Sequence, residues 1–312
     1  MGVSDVSISI VIPTLNPGRA FGTVLHRIMG QGRTPLEIVC ADSGSTDAIR
    51  HIVSQFALAR FVEIAEPTGP RGWNRAMGET RGDVVVFLSQ DALPGNGDWL
   101  SALTAPFDDP SVGGVYGRLE VAIGGDPLIG FRLAQRYCRE PHRRRIRVGD
   151  AIAYKSLPFF IDNAAVRRSV WRGIHFNEHL PVGADRVWAR QAVLASYTIA
   201  YAPDAVATLD VVDDLKAAYR LALLTGYTDQ HYGDQGGTLW PDSRHFAKRA
   251  SWYLLKGLAW GRLPYLAMED VAHRYGYRLG RRLDRMSPQM RGRFAPETAQ
   301  PDRQLDTDDW AA

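Results

Sequence analysis

Acidic side chains recur where a short apolar run gives way to a polar turn: Asp42 and Asp47 in Asp42-Ser43-Gly44-Ser45-Thr46-Asp47, and Asp91 in Ser89-Gln90-Asp91-Ala92. Asp185 stands later, at the start of an apolar helical stretch. A carboxylate at such a position accepts from the N–H of a uracil or thymine ring or from ribose hydroxyls. A second one binds a divalent ion that bridges a diphosphate. Each residue also has a purely structural reading. Ser45 or Thr46 caps a helix with Asp47 against its dipole, Asp185 suits a helix first turn, and Asn163 reads as a cap before Ala164.

The elements that must position these residues alternate. Ser7–Pro13 reads as a buried strand that meets the turn Thr14-Leu15-Asn16-Pro17-Gly18. Phe21, Val24, Leu25, Ile28 and Met29 then recur at helical spacing. Leu36–Ala41 is a second strand, with Ile49, Ile52, Val53 and Phe56 forming the stripe of the next helix. Phe61–Ala65 is a third strand and Gly72–Thr80 a helix. Asp83–Leu88 is apolar almost throughout, as a strand covered on both faces should be. Trp99–Phe107 reads as a helix, Val112–Val121 as a strand, Ala164–Arg172 and Asp185–Leu194 as helices, and Thr198–Tyr201 as a short strand. This rhythm predicts an α/β fold with a mostly parallel central sheet flanked by helices, whose ligands collect beyond the carboxyl ends of the strands. Asn16, Asp42, Asp47 and Asp91 fall there. The expected organisation is a catalytic-type α/β domain over 1–212, a helical C-terminal region over 213–295 and a polar, disordered tail over 296–312.

Composition narrows the classes. With 312 residues, 45% hydrophobic, the chain is long enough for a real core, and a net charge of +3 gives no ground for a nucleic-acid partner. Two cysteines, Cys40 and Cys138, make neither a disulfide framework nor a cysteine-rich zinc site, so a reduced, cytoplasmic setting is expected. No signal peptide is expected from the N-terminal residues, and Lys256, Arg262 and Glu269 interrupt the most apolar stretch before it reaches a membrane span. The turn after the first strand is neither G-x-G-x-x-G nor G-x-x-x-x-G-K-[ST], and no G-x-S-x-G or H-E-x-x-H occurs. Dehydrogenase, P-loop, serine hydrolase and zinc peptidase readings lose their support, as does a nucleotidyltransferase with its Gly-rich phosphate loop.

Taken together, Ser7–Asn16 (SISIVIPTLN), Glu37–Asp47 (EIVCADSGSTD), Asn74–Pro94 (NRAMGETRGDVVVFLSQDALP), Asn163–Trp171 (NAAVRRSVW) and Asp185–Asp204 resemble the family 2 inverting glycosyltransferases with the GT-A fold, and within them the rhamnosyltransferase-like group. The resemblance spans roughly residues 7–215. It implies that Pro13, Thr14 and Asp42 contact the base and ribose, with Asn16, Asn74, Gln90 and Asn163 on the nucleotide-sugar side. By the same resemblance Asp91 is the surviving acid of the metal-binding D-x-D signature, and Asp185 is the catalytic base. Gln90 in place of the first acid looks like the variant of enzymes that use dTDP-L-rhamnose. The implied reaction moves L-rhamnose from that donor to a saccharide or polyprenyl-linked acceptor in cell-surface polysaccharide assembly, with Mg²⁺ or Mn²⁺. Such a displacement needs a deprotonated acceptor hydroxyl on one face of the anomeric carbon and a stabilised diphosphate on the other. Three departures accompany the resemblance, the first being Trp73, beside Asn74, where related enzymes tend to carry a small or basic residue; it stacks on the base or sugar, or merely packs. Ala184-Asp185 stands where the family usually has Glu-Asp, and Leu209-Asp210-Val211 where it often has His-Ser-His. Asp210 would then replace a histidine metal ligand with a hard oxygen donor. The departures also leave open a non-catalytic relative that binds nucleotide-sugar without turnover.

Two basic segments remain. Arg143, Arg144, Arg145 and Arg147 read either as a lid clamping a diphosphate or as a solvated charge run. Over 271–293, Val271, Tyr275, Leu279 and Leu283 repeat every four residues on an otherwise arginine-rich segment. That helix lies on an anionic bilayer surface, making the protein peripheral at the inner face of the cytoplasmic membrane, or packs on the domain with its basic face in water.

Overall fold

β1 (Ile8–Thr14), β2 (Glu37–Asp42), β3 (Ala59–Glu63) and β4 (Val84–Leu88) pair in parallel in the order β3-β2-β1-β4. Their connections contain α1 (Phe21–Met29), α2 (Ile49–Val53) and α3 (Pro70–Gly78). The expected stripe of α1 is buried through Phe21, Val24, Leu25 and Ile28, and every residue of β4 is buried, as its unbroken apolar run requires. The computed structural model describes residues 6–64, 69–95, 97–137, 145–146, 157–211, 214–232 and 243–287. Cys138, Arg143, Arg144, Arg147, the end of the 271–293 segment and the tail 296–312 lie outside the described residues.

From β4 outward the sheet, nine-stranded among the described residues, becomes mixed. β5 (Ala92–Pro94), α4 (Trp99–Thr104), β6 (Val112–Val121), α5 (Pro127–Arg136), β7 (Arg145–Ile146), β8 (Asn163–Arg167), α6 (Arg168–Gly173), α7 (Ala184–Leu194) and β9 (Thr198–Leu209) follow. β8 lies antiparallel between β4 and β6, β6 runs parallel to β9, and β5 and β7 pair antiparallel with β9.

Two sequence expectations change here. The helix expected over Ala164–Arg172 is a strand through Arg167 followed by the short α6. Ala164, Ala165 and Val166 are fully buried between two strands, and so short an apolar run carries no period that separates helix from strand. The short strand at Thr198–Tyr201 runs on to Leu209. The β6–β9 register jumps from Gly117↔Ala202 to Arg118↔Val206, so the Pro203-Asp204 pair that reads as a strand end is a bulge.

The C-terminal region is helical as expected, with α8 (Leu215–Tyr232), α9 (Ser243–Lys256) and α10 (Leu263–Gly280). Only part of the anticipated stripe is buried, Leu279 packing with Leu223, Tyr227 and Leu283, and the rest of α10 has a different buried face. It carries Leu266, Glu269, His273, Gly276 and Gly280, while Val271 and Tyr275 are 66% and 56% exposed, and the helix ends at Gly280 rather than running to 293. Glycines set this face. A Cβ on Gly276 would lie 2.7 Å from the Tyr219 carbonyl oxygen, and Gly226 and Gly280 press against the backbones of Tyr277 and Leu223. The α8 and α10 backbones meet there more closely than any apolar stripe allows. On the other side, Phe131 of α5 packs on Phe246 and Tyr253 of α9, with ring centroids 5.6 and 5.0 Å away.

Candidate functional site

A cavity of about 630 Å³ opens beyond the carboxyl ends of β1 and β4, where the alternating pattern placed it. Pro13 and Leu15 line it from the end of β1, and Ser89, Gln90 and Asp91 from the end of β4. Gly69, Pro70 and Trp73 enter from the start of α3, Arg136 from the end of α5, and Leu221 from α8. The segments Phe160–Asp162 and Pro181–Arg186 complete the wall.

Asp185 occupies the first turn of α7 and faces this cavity. Its Oδ2 accepts from the Ile161 N–H at 3.3 Å and its Oδ1 from the Arg186 N–H at 2.9 Å. Burial raises its carboxyl from 3.8 to about 6; Asp162 adds to the rise, while Arg186 and the two amides oppose it. The helix starts here because Gly183 adopts a left-handed φ of 80°, and a Cβ at that position would meet Arg186 Nη2 at 2.9 Å.

The sequence reading missed four neighbours of Asp185. Asp162 lines the same wall, and burial raises its carboxyl against the opposing charge of Arg136. Arg136 holds its guanidinium 4.8 Å over the Phe160 ring. Arg186 has a buried Nε without a hydrogen-bond partner among the described residues. Tyr137 likewise has a buried hydroxyl without a partner, whose acidity burial and the Asp162 and Asp185 charges suppress. The cavity wall therefore combines three carboxyls, Asp91, Asp162 and Asp185, with two guanidiniums, an arrangement that can take a proton from a hydroxyl beside a negatively charged group. Of the four neighbours, only Asp162 left a trace in the sequence, as the polar residue directly before Asn163.

The remaining expected residues separate into those at the cavity and those behind it. Pro13, Gln90 and Asp91 border it. Gln90 also clips two loops together, accepting from Leu15 N–H at 2.8 Å and donating to the Leu15 carbonyl at 3.3 Å. Asp42 is buried, and its carboxylate accepts from Thr14 Oγ1 at 3.0 Å, from the Gly44 and Ser45 amides at 3.1 and 2.8 Å, and from Ser45 Oγ. Asn16, at a left-handed φ of 46°, joins the same loop by donating its N–H to Ser45 Oγ and accepting from Thr46 N–H. Thr14, Asn16 and Asp42 thus brace the turns after β1 and β2 rather than line the cavity.

Asn74 and Asn163 are committed to other parts of the fold. Asn74 accepts from Trp171 Nε1 and Phe176 N–H, both at 3.0 Å, and donates to the Phe176 carbonyl and to Glu178. It ties α3 to the segment that leads into Pro181–Asp185. Asn163 begins β8 instead of capping a helix. Its buried amide accepts from Trp99 Nε1 and donates to the Arg118 and Ala205 carbonyls, pinning β8 to α4 and to the bulge of β9.

For a divalent ion, the donor set is small and hard. Ala92↔Leu209 is the last pair of the β5–β9 ladder, and Asp91 and Asp210 stand one residue beyond it on each strand; Asp91 lines the cavity, and Asp210 is not among its lining residues. Partial burial raises the Asp91 carboxyl. No group of three His, Cys, Asp or Glu side chains suited to a metal occurs among the described residues. Two carboxylates fit Mg²⁺ or Mn²⁺ when the remaining ligands come from a diphosphate and water.

The chain is 25% identical over 291 residues to the O-antigen chain rhamnosyltransferase RfbN of Salmonella typhimurium, covering 88% of this chain and 90% of that protein. It is 27% identical over 301 residues to the O-antigen chain rhamnosyltransferase WbaN of Salmonella anatum, covering 88% and 89%. Among solved structures, the mannosyltransferase PcManGT from Pyrobaculum calidifontis, in complex with GDP-Man and Mn²⁺, superposes with a TM-score of 0.56 at 20% identity over 86% of this chain and 87% of that one. The helix-flanked sheet is accordingly the GT-A fold. A family model described as Glycosyl transferase family 2 matches residues 9–173, more than half the chain, and the protein belongs to that family of glycosyltransferases.

Proposed function

We propose that this glycosyltransferase moves L-rhamnose from dTDP-L-rhamnose, with inversion, onto a hydroxyl of a saccharide or polyprenyl-linked acceptor in cell-surface polysaccharide assembly. The observation that carries the reading is Asp185, a carboxyl raised to about 6, in one cavity with Asp91 and two guanidiniums. At neutral pH Asp185 is ionised and takes the proton of the acceptor hydroxyl, whose oxygen bonds to the anomeric carbon as the bond to the diphosphate breaks on the opposite face. One such displacement inverts the centre. Arg136 and Arg186 stand in the Asp185 wall and offset the charges of Asp162 and Asp185. Asp91 and Asp210 would hold Mg²⁺ or Mn²⁺, which supplies further positive charge against the leaving group when bound. Pro13, Gln90 and the loop braced by Thr14, Asn16 and Asp42 take the nucleotide side, while Asn74 and Asn163 act by positioning. The donor and acceptor classes draw their support from the two O-antigen rhamnosyltransferase relatives and from the Gln90-Asp91 pair.

The test is nucleoside diphosphate release across UDP-, GDP- and dTDP-sugars with a glycan acceptor, with Mg²⁺, Mn²⁺ or EDTA, for the native chain and for Asp91→Ala and Asp185→Asn. Release selective for dTDP-L-rhamnose, lost on Asp185→Asn while donor binding persists, supports the reading. Donor binding without release by the native chain favours a binding protein of this fold. Release from another donor alone overturns the rhamnosyl assignment.

A further inference from the structure

Apolar exposure in this protein is concentrated in one layer. Of the fourteen large apolar side chains exposed among the described residues, nine lie on α8, α9, α10 and the connection between the last two. The sharpest group is the α9–α10 turn, where Trp252, Leu255, Leu258 and Trp260 are 62%, 40%, 81% and 60% exposed. Leu258, the most exposed of them, is held at a left-handed φ of 55°, a conformation costly for a branched side chain that gains no burial there. Along α10, Met268, Val271 and Tyr275 continue an exposed apolar row, three to four residues apart.

Arg262 pairs with Asp126, whose side chain is 6% exposed, and the remaining charge of this turn is positive. Residues 243–262 contain five Lys or Arg and no Asp or Glu. Lys248, Arg249 and Lys256 are exposed, and Lys256 Nζ lies 4.9 Å over the Trp252 ring. Like charges oppose the pairing of two copies through this surface, whereas Trp and Leu flanked by Lys match the headgroup zone of an anionic bilayer. No helix among the described residues is long and apolar enough to cross a membrane. We infer that the α9–α10 turn docks the protein on an anionic lipid surface, with Trp252, Leu255, Leu258 and Trp260 in the interfacial zone and the lysines on the headgroups. The cavity joins this layer. Leu221 of α8 is both exposed and part of the cavity wall, and α5, which ends in Arg136, packs on α9 through Phe131. The inference uses the preceding reading in one respect, that a lipid-linked acceptor gives docking a purpose.

The experiment is co-sedimentation of the full chain with phosphatidylcholine vesicles with and without phosphatidylglycerol, at low and high salt, beside the double variant Leu258→Glu/Trp260→Glu. Native protein should partition onto the phosphatidylglycerol vesicles with a blue shift of tryptophan fluorescence, and high salt should weaken the partitioning. The variant should lose at least about tenfold in partitioning, the scale set by withdrawing one large apolar side chain from the interface. Its circular dichroism and its turnover with a water-soluble acceptor should be unchanged. Equal partitioning of native and variant protein overturns the inference, as does indifference to phosphatidylglycerol. So does a native dimer in analytical ultracentrifugation that the variant converts to monomer. Vesicle binding without turnover would count against the proposed reaction alone, and turnover without vesicle binding against the docking surface alone.

Discussion

Asp185→Asn should remove turnover and should gain stability relative to the native chain as pH rises from 4 to 7. The native carboxyl is raised from 3.8 to about 6 by burial and by Asp162, so ionising it in the folded state costs more than in the unfolded chain. At about 1.36 kcal/mol per pH unit, the rise corresponds to roughly 3 kcal/mol. Water in the open cavity screens it, leaving about 1–2 kcal/mol. Because the folded state binds the extra proton between about pH 4 and 6, this penalty is absent below the unfolded value and fully present above about 6. Asn accepts from only one of the Ile161 and Arg186 amides, a fixed cost at every pH, so the variant's Tm relative to the native chain should move up by a few degrees between pH 4 and pH 7. Turnover with donor and acceptor should drop by roughly 10²–10⁴-fold, the usual contribution of a positioned base. Paired thermal unfolding at pH 7 and pH 4.5 with nucleoside diphosphate release checks both. A stability difference between variant and native chain that does not change between pH 4.5 and pH 7 would refute the desolvated carboxyl, and retained turnover would refute the base.

Other perturbations test the scaffold. In the native enzyme, log kcat/KM should rise with pH through about 6 and then level off, since the reactive form of Asp185 is the ionised one; a pH-rate profile flat between 5 and 7 would exclude it. Gly183→Ala should cost about 1–2 kcal/mol in urea unfolding, because the left-handed backbone disfavours a Cβ that also presses on Arg186. Its KM for acceptor should rise as the start of α7 shifts. Asn74→Ala should cost about 2–3 kcal/mol, since it strands Trp171 Nε1 and the Phe176 amide; a neutral result would mean water replaces the side chain. Gly276→Ala should cost about 1–3 kcal/mol by driving a methyl into the Tyr219 carbonyl. Hydrogen exchange should localise that loss to α8 and α10.

The catalytic half was legible where chemistry and position coincide. Asp91 and Asp185 stand at a strand end and a helix start, and local pattern is enough to find such places. Both line the cavity. Thr14, Asn16 and Asp42 are at the expected turns, yet their hydrogen bonds run to Ser45, Thr46 and each other, a choice of partner that sequence spacing does not contain. Asn163 shows the same limit from the other side: three buried partners from α4, β6 and β9 fix its role, and they lie 64, 45 and 42 residues away.

By itself, the sequence determined the alternating strands and helices, the buried faces of β1, β4 and α1, and the edge of the sheet where the cavity opens, because these follow from local periodicity and from acids at element ends. Only the tertiary structure decided that β8 runs antiparallel between β4 and β6 and that Asp162, Arg136, Tyr137 and Arg186 gather around Asp185. It alone decided that glycines, not Val271 and Tyr275, carry the buried face of α10. These depend on contacts between segments far apart in the chain and on how closely two backbones approach, and neither leaves a periodic trace in the residues themselves.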